Sequence, residues 1–179
     1  MTPATMSAEE LSRLNLPDKR TELVRGRLVV REPAGFRHGS IAAALATEIA
    51  VYVRQTHAGL VLAAETGFRL ATNPDTVRAP DVAFVRADRL PASLPIGYAE
   101  FPPDIAIEVL SPDDRPPDVR SKVADWLTAG TRLVWVVDPS RREARVSRAD
   151  GTETLVPEHG ALDAEDVLPG FRCPLGSVL

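Results

Sequence analysis

Cysteine is almost absent from the sequence, and no long apolar run occurs in it. Cys173 is the only cysteine in 179 residues, so the chain can form neither an internal disulfide nor a zinc site with paired cysteines. The opening residues Met1 to Thr5 also lack the basic start and apolar core of a secretory signal. These absences favour a protein of the reducing cytoplasm.

Membrane and polyanion binding are also disfavoured. Apolar runs such as Ile105 to Leu110 are far shorter than the roughly 20 residues that span a bilayer. The net charge of -4 argues against indiscriminate binding to a polyanion, although it leaves room for a local basic groove. With 44% hydrophobic residues, the chain can bury a core, and we expect residues 1–179 to form a single domain.

Several common catalytic motifs are missing. No Gly-rich phosphate loop occurs, and Ser111 lacks the Gly-x-Ser-x-Gly setting of a hydrolase nucleophile. Cys173 has no histidine at a position that suggests an activated thiol. Any catalysis must therefore rest on other side chains.

Caps and turns divide the first half of the chain into alternating helices and strands. The predicted elements are a short helix from the capping box Ser7 to Glu10, a hairpin of Glu22 to Arg25 and Leu28 to Arg31, a helix from about His38 to Thr56 closed by Gly59, and a second hairpin of Leu60 to Leu70 and Val77 to Val85.

The second half contains a strand–helix–strand unit. Ile105 to Leu110 is typical of a central strand covered on both faces, and Asp118 is expected to cap the helix that follows. Arg132 to Val137 should pair with the central strand in parallel, through a right-handed connection. We expect a core of about residues 20–140. The remaining residues, 141–179, should form a hairpin around Asp150-Gly151 and a loosely structured end from Pro157 to Leu179.

Two carboxylates and one lysine stand in apolar surroundings. Glu108 lies within the predicted central strand, and Lys122 interrupts the apolar stripe of the following helix, so that its ammonium can reach back toward a carboxylate. Asp81 follows Pro80 at the start of another strand. A charge is seldom buried unless it is paired or binds a metal. We therefore expect these residues to carry the chemistry.

Converging carboxylates suit Mg²⁺ or Mn²⁺, because these ions take oxygen ligands and keep waters for a phosphate substrate. A nearby lysine could hold or deprotonate the attacking water and offset charge that develops on phosphorus. Glu65, within a run of small and apolar residues, could be a third acidic ligand.

The same residues also have structural interpretations. Glu108 and Lys122 could form an ion pair between sheet and helix, and Asp81 could be a turn residue after proline. His38 could be an ordinary capping or surface residue, and Glu65 could face solvent from its strand. Only the combination of charged residues favours a site.

Several short motifs together resemble the Uma-type restriction endonuclease family, a branch of the PD-(D/E)xK nuclease superfamily. They are Pro80-Asp81, Glu108-Val109-Leu110-Ser111-Pro112, Lys122, Gly130 and Trp135-Val136-Val137-Asp138-Pro139. The resemblance implies an α/β domain with a restriction-endonuclease-like mixed central sheet flanked by helices and an N-terminal β-hairpin. It also implies a divalent metal, Mg²⁺ or Mn²⁺, and phosphodiester hydrolysis.

The resemblance also implies roles for individual residues. Asp81 and Glu108 match the acidic metal ligands, whereas the superfamily's usual lysine would stand at Leu110. Lys122 takes that place from the following helix and would activate water. Glu65 and His38 match supporting positions, and Glu65 would be a further metal ligand.

We therefore expect a cytoplasmic DNA endonuclease, for which a homodimer would be the simplest way to cut both strands. Phosphate contacts are expected from a basic cluster in the C-terminal hairpin, whose arginines could equally form a solvated face. The cluster consists of Arg141, Arg142, Arg145 and Arg148. The alternatives are a non-catalytic nucleic-acid or protein interaction module on the same fold and a hydrolase of small phosphoesters.

Overall fold

A computed structural model of the chain describes residues 5–179, so residues 1–4, on which the expectation about a secretory signal partly rests, lie outside it. The helices are α1 Ala8–Arg13, α2 Phe36–Thr56 and α3 Pro116–Ala129. The strands are β1 Arg20–Val24, β2 Arg27–Arg31, β3 Gly59–Ala63, β4 Phe68–Ala71, β5 Thr76–Arg78, β6 Val82–Arg86, β7 Ile105–Val109, β8 Leu133–Asp138, β9 Glu143–Arg148, β10 Glu153–Pro157, β11 Ala161–Asp163 and β12 Arg172–Pro174.

The larger sheet has six strands in the order β10-β9-β8-β7-β6-β3. The apolar strand β7 occupies an inner position and pairs in parallel with β8, while the other neighbours in the sheet are antiparallel. The parallel pair is joined through α3. The predicted central strand, the strand–helix–strand unit and the mixed α/β fold are therefore confirmed.

Helices cover both faces of this sheet. On one face, Ile41, Leu45 and Ile49 of α2 recur at helical spacing and pack against the β7 and β8 side chains. On the other face, Trp126 of α3 is fully buried against a second apolar cluster that includes Val134. Within residues 5–179, no helix has both the length and the apolar character required to cross a membrane.

A second sheet of four strands, in the order β2-β1-β5-β4, contains the N-terminal hairpin. The prediction of two long strands between residues 60 and 85 is wrong, because each stretch forms two shorter strands that belong to different sheets. The first breaks at a turn where Glu65 has φ 68, and the second breaks at Ala79 to Asp81. Pro80 explains the second break, since proline donates no hydrogen bond to a strand ladder.

Two helix ends also differ from the predicted ones. Arg115, not Asp118, is the N-cap of α3, because Pro116 and Pro117 are well suited to the first helical turn. Asp118 lies in that first turn, where its negative charge is favourable. Helix α2 ends at His57 in the left-handed region, with φ 52, and Gly59 instead begins β3.

The C-terminal segment is not loosely structured as predicted. Residues 161–163 and 172–174 form an antiparallel pair, and Leu162, Phe171 and Leu175 belong to the main core. The Phe171 ring stacks on Trp135 at 6.2 Å and meets Tyr52 edge-on at 5.5 Å. The short strands escaped prediction because Pro169-Gly170 and scattered polar residues interrupt the alternation that signals a strand.

Phe171 therefore provides a test of how firmly this segment belongs to the fold. We expect Phe171→Ala to lower the free energy of unfolding by about 3–5 kcal/mol, because a nearly fully buried ring leaves a cavity. Leu155→Ala is the control, since Leu155 is 54% exposed and should cost no more than about 0.5 kcal/mol. Equal urea midpoints for the two variants would show that the segment is peripheral.

Candidate active site

Asp81 stands where the chain passes from the smaller sheet to the larger one. Its backbone N–H donates to the Ile107 carbonyl at 3.0 Å, and its Oδ2 accepts the Val109 N–H at 2.7 Å. Because Val82 pairs with Ile107, this register places Asp81 beside Glu108. The two carboxylates therefore come from neighbouring strands.

Glu108 is buried in β7 and faces α3. Its Oε1 accepts a hydrogen bond from Trp126 Nε1 at 2.9 Å, and its Oε2 accepts one from Lys122 Nζ at 2.8 Å. Lys122 and Trp126 reach the same carboxylate because residues four apart share one face of a helix. Hydrogen bonds to both oxygens compensate the acid for its lost hydration.

Lys122 is surrounded by acceptors. Besides Glu108, its Nζ donates to the Ala79 carbonyl at 3.2 Å and lies 3.0 Å from Glu22 Oε1. An ammonium has three N–H donors, and this arrangement provides one acceptor for each. Lys122 is therefore held as a fixed positive charge next to Glu108.

Glu22 is the member of this cluster that the sequence pattern did not single out. It is 6% exposed, its Oε1 accepts the Ala79 N–H at 3.0 Å, and its Oε2 accepts a hydrogen bond from Arg78 Nη1 at 3.0 Å. Strand alternation could have found it, since Leu23 packs under α1 and Glu22 must then face the opposite side.

A cavity of about 40 Å³ lies beside this cluster. Asp81, Glu108 and Lys122 form part of its wall, and the N-terminal hairpin contributes Arg20 and Arg31. A single water needs roughly 10–15 Å³ of such space, so the cavity can hold an ion and a few waters. It is too small for an organic molecule.

Burial raises the pKa of Glu108 to about 7, and Asp81 and Glu22 add to the increase while Lys122 opposes it. Burial disfavours the charged form of Lys122, but Glu108 and Glu22 outweigh it and hold the lysine pKa above its usual range. Burial also acts against ionised Glu22, yet Lys122 and Arg78 keep the pKa of this carboxyl low. Lys122 thus faces two acids, Glu22 and Glu108, while the third acid, Asp81, lies 3.6 Å from the Arg20 guanidinium.

His38 and Glu65 are placed differently. His38 lines the cavity, with its Nε2 3.1 Å from Asp81 Oδ2, and its buried Nδ1 has no hydrogen-bond partner among the described residues. The Glu65 side chain is 52% exposed on its turn, where Arg20 Nε lies 3.8 Å away. The same guanidinium approaches Asp81 Oδ1 at 3.6 Å. Glu65 is therefore connected to the site through Arg20.

The arginines of the C-terminal hairpin are engaged with acids. Arg145 lies 2.6 Å from Glu153, and Arg141 is 3.8 Å from both Asp138 and Glu143. The remaining two are paired in the same way, Arg142 with Glu158 and Arg148 with Asp163 and Asp166. Much of the positive charge in this cluster is locally balanced.

The donor set around the cavity fits Mg²⁺ or Mn²⁺. Residues 5–179 contain no group of three or more His, Cys, Asp and Glu side chains arranged to hold a metal ion. However, Mg²⁺ commonly uses only one or two protein carboxylates and completes its shell with waters and phosphate oxygens. Asp81 and Glu108 supply two such carboxylates at the wall of the cavity.

Comparison with solved structures supports the same fold. A crystal structure described as "a putative nuclease belonging to DUF820" from Anabaena variabilis superposes with a TM-score of 0.84 at 19% sequence identity. The alignment covers 98% of this chain and 97% of that chain. At this identity the similarity establishes the fold alone.

Comparison with protein families is more specific. No curated protein matches the chain significantly. The family model Uma2, described as "Putative restriction endonuclease", matches residues 8–176. The resemblance inferred from the motifs around Asp81 and Glu108 is thereby confirmed. Because the match spans nearly the whole sequence, the chain belongs to the Uma2 family.

Proposed function

We propose that the protein is a metal-dependent endonuclease that hydrolyses phosphodiester bonds in DNA. The observation that carries the proposal is the meeting of Asp81, Glu108 and Lys122 at one small cavity. The description of the Uma2 family supports a nuclease-type function. To this nuclease-type function we add, as a proposal, metal dependence, DNA as the substrate and the roles of the residues.

In this proposal Asp81 and Glu108 hold Mg²⁺ or Mn²⁺. The bound ion would lower the pKa of a coordinated water and stabilise charge on the phosphate oxygens. His38 supports Asp81 through its contact with Oδ2, while Trp126 orients Glu108. Glu65 has a supporting role, exerted through its contact with Arg20.

Lys122 acts in the proposal as a fixed positive charge. A lysine that serves as a general base must lose a proton, but the pKa of Lys122 is raised and its three N–H groups face acceptors. Its ammonium instead offsets the negative charge that builds up on phosphorus as the attacking oxygen approaches. Activation of the water would then fall mainly to the metal.

The surroundings of the cavity support a polymeric substrate. A groove of about 670 Å³ adjoins the cavity and shares Leu110, Asp114 and Val119 with it. Arg141, Arg145 and Arg148 line this groove, and backbone phosphates could replace their acidic partners. A hydrolase of small phosphoesters is less well supported, because the cavity is far below the roughly 300 Å³ of a small-molecule site.

A non-catalytic interaction module on the same fold is the second candidate. The direct Glu108–Lys122 contact favours it, since an ion pair between sheet and helix can be purely structural. Cleavage assays separate the two candidates. A homodimer, the arrangement we propose for cutting both strands of a duplex, can be examined in the same samples by light scattering.

The first prediction concerns cleavage. We expect the protein to cut DNA with Mg²⁺ or Mn²⁺ and not with EDTA, and Asp81→Asn or Lys122→Met to lower kcat at least about 100-fold, because each removes a charge that acts on the reacting phosphate. Glu65→Gln should cost less. Asp88→Asn and Lys19→Met are matched controls, since Asp88 is 62% exposed and pairs with Arg86, and Lys19 pairs with Glu32, neither of them at the cavity or the groove.

The outcome of this assay decides between the candidates. DNA binding without cleavage in every metal would favour the interaction module. Cleavage that survives both Asp81→Asn and Lys122→Met would show that these residues are not the catalytic centre.

The second prediction concerns pH. Glu108 must be ionised to bind a cation, and its pKa is raised to about 7, so a lower pH leaves it protonated and neutral. We expect Mg²⁺ to bind roughly tenfold more tightly at pH 8 than at pH 6, as measured by isothermal titration. The same affinity at both pH values would exclude Glu108 as a ligand of this kind.

A further inference from the structure

Glu22 carries a buried charge whose contacts converge on the candidate site. It lies in β1, in the smaller sheet, yet its carboxylate touches Lys122 of α3 and the backbone of Ala79. Its other oxygen accepts a hydrogen bond from Arg78 Nη1 at 3.0 Å. A glutamate is rarely buried this completely, and desolvation is costly unless donors replace the lost water.

Two of these contacts control the groups that face the cavity. The Ala79 N–H, bonded to Glu22 Oε1 at 3.0 Å, lies two residues before Asp81 at the point where the chain changes sheets. The Ala79 carbonyl in turn accepts from Lys122 Nζ at 3.2 Å. Glu22 thus fixes both the ammonium and the short segment that delivers Asp81.

Glu22 itself stands behind these groups. Lys122, Asp81 and Glu108 line the cavity, whereas Glu22 is outside the part of the described chain that forms its wall. A cation or phosphate in the cavity would meet Lys122 before Glu22. The influence of Glu22 on chemistry must therefore pass through the residues that it holds.

We propose that Glu22 is a positioning residue of the nuclease centre, which holds the Lys122 ammonium against Glu108 and aligns the Ala79 to Asp81 segment. The inference rests on the proposed function and extends it to the N-terminal hairpin, which thereby becomes part of the catalytic centre. Groups that orient a site in this way typically contribute about 10- to 100-fold to metal affinity or activity.

The chain offers a matched control for this role. Asp125, which like Lys122 lies on α3, accepts hydrogen bonds from Arg78 Nε at 3.0 Å and Nη2 at 2.6 Å. Asp125→Asn and Glu22→Gln each remove one negative charge that pairs with Arg78. Of these two substitutions, only Glu22→Gln changes a direct contact of Lys122.

Glu22→Gln preserves shape but cannot preserve every contact. The carboxylate receives donors on both oxygens, so the amide of glutamine must turn its own donor toward Arg78 or toward Lys122 and Ala79. Glu22→Asp keeps the charge but shortens the side chain. Glu22→Asp therefore provides a second test if Glu22→Gln fails to fold.

The first measurement separates kcat from KM on DNA with saturating Mg²⁺. We expect Glu22→Gln to lower kcat about 10- to 100-fold with KM within roughly twofold, and Glu22→Asp to fall between it and the wild type. Asp125→Asn should keep kcat within about threefold of the wild type, even if its Tm falls as much as that of Glu22→Gln. Parallel loss of kcat and Tm in Glu22→Gln and Asp125→Asn would overturn the inference in favour of a structural role.

The second measurement does not require activity. The sequence contains only two lysines, Lys19 and Lys122, so [¹⁵N]lysine labels two side-chain ammonium groups. We expect the Lys122 ammonium signal to shift or broaden in Glu22→Gln and to keep its position in Asp125→Asn. An unchanged Lys122 signal in Glu22→Gln would overturn the inference. If the wild type cleaves no nucleic acid, the proposed function fails, while this spectrum still decides whether Glu22 positions Lys122.

Discussion

The buried charge of Glu108 is the constraint on which the surrounding structure depends. An acid in the middle of an apolar inner strand must receive donors, and α3 provides them through Lys122 and Trp126. The position of α3 on the sheet is thereby fixed, because its apolar stripe must pack against the sheet while its two donors reach Glu108. Removing one partner of such a buried pair costs about 3–5 kcal/mol, so the docking of α3 and the geometry of the cavity are coupled.

The same constraint extends to the smaller sheet. Lys122 also meets Glu22, and Glu22 meets Arg78, which returns to α3 through Asp125. This chain of ion pairs joins β1 and β5 of one sheet to the helix that covers the other. The break at Ala79 to Asp81 lies within it, so the point where the chain changes sheets is also the point where Asp81 reaches Glu108. The Glu22–Lys122 contact of this network links β1 to α3 beside the candidate site.

Local sequence signals were sufficient for much of the fold and for part of the site. The run Ile105 to Leu110 and the helical stripe that contains Lys122 predicted the parallel pair correctly, because both depend on periodicity within a few residues. The strands near Glu65 and Pro80 were predicted too long, because long-range packing determines where the chain leaves one sheet for the other. Glu22 was missed for the same reason. Strand alternation places Glu22 on the face opposite Leu23, but its burial depends on α3, about 100 residues further along the chain.

The ion pair between Glu108 and Lys122 taken by itself is what a structural contact between sheet and helix provides. The surrounding charges are more informative. A structural pair needs one carboxylate, whereas Lys122 faces two, and Asp81 adds a third acid at the cavity. Apolar residues of similar volume would often be as stable as such a cluster, or more so. Arg78 and Arg20 balance part of this negative charge, and a cation at Asp81 and Glu108, as we propose, would balance more of it.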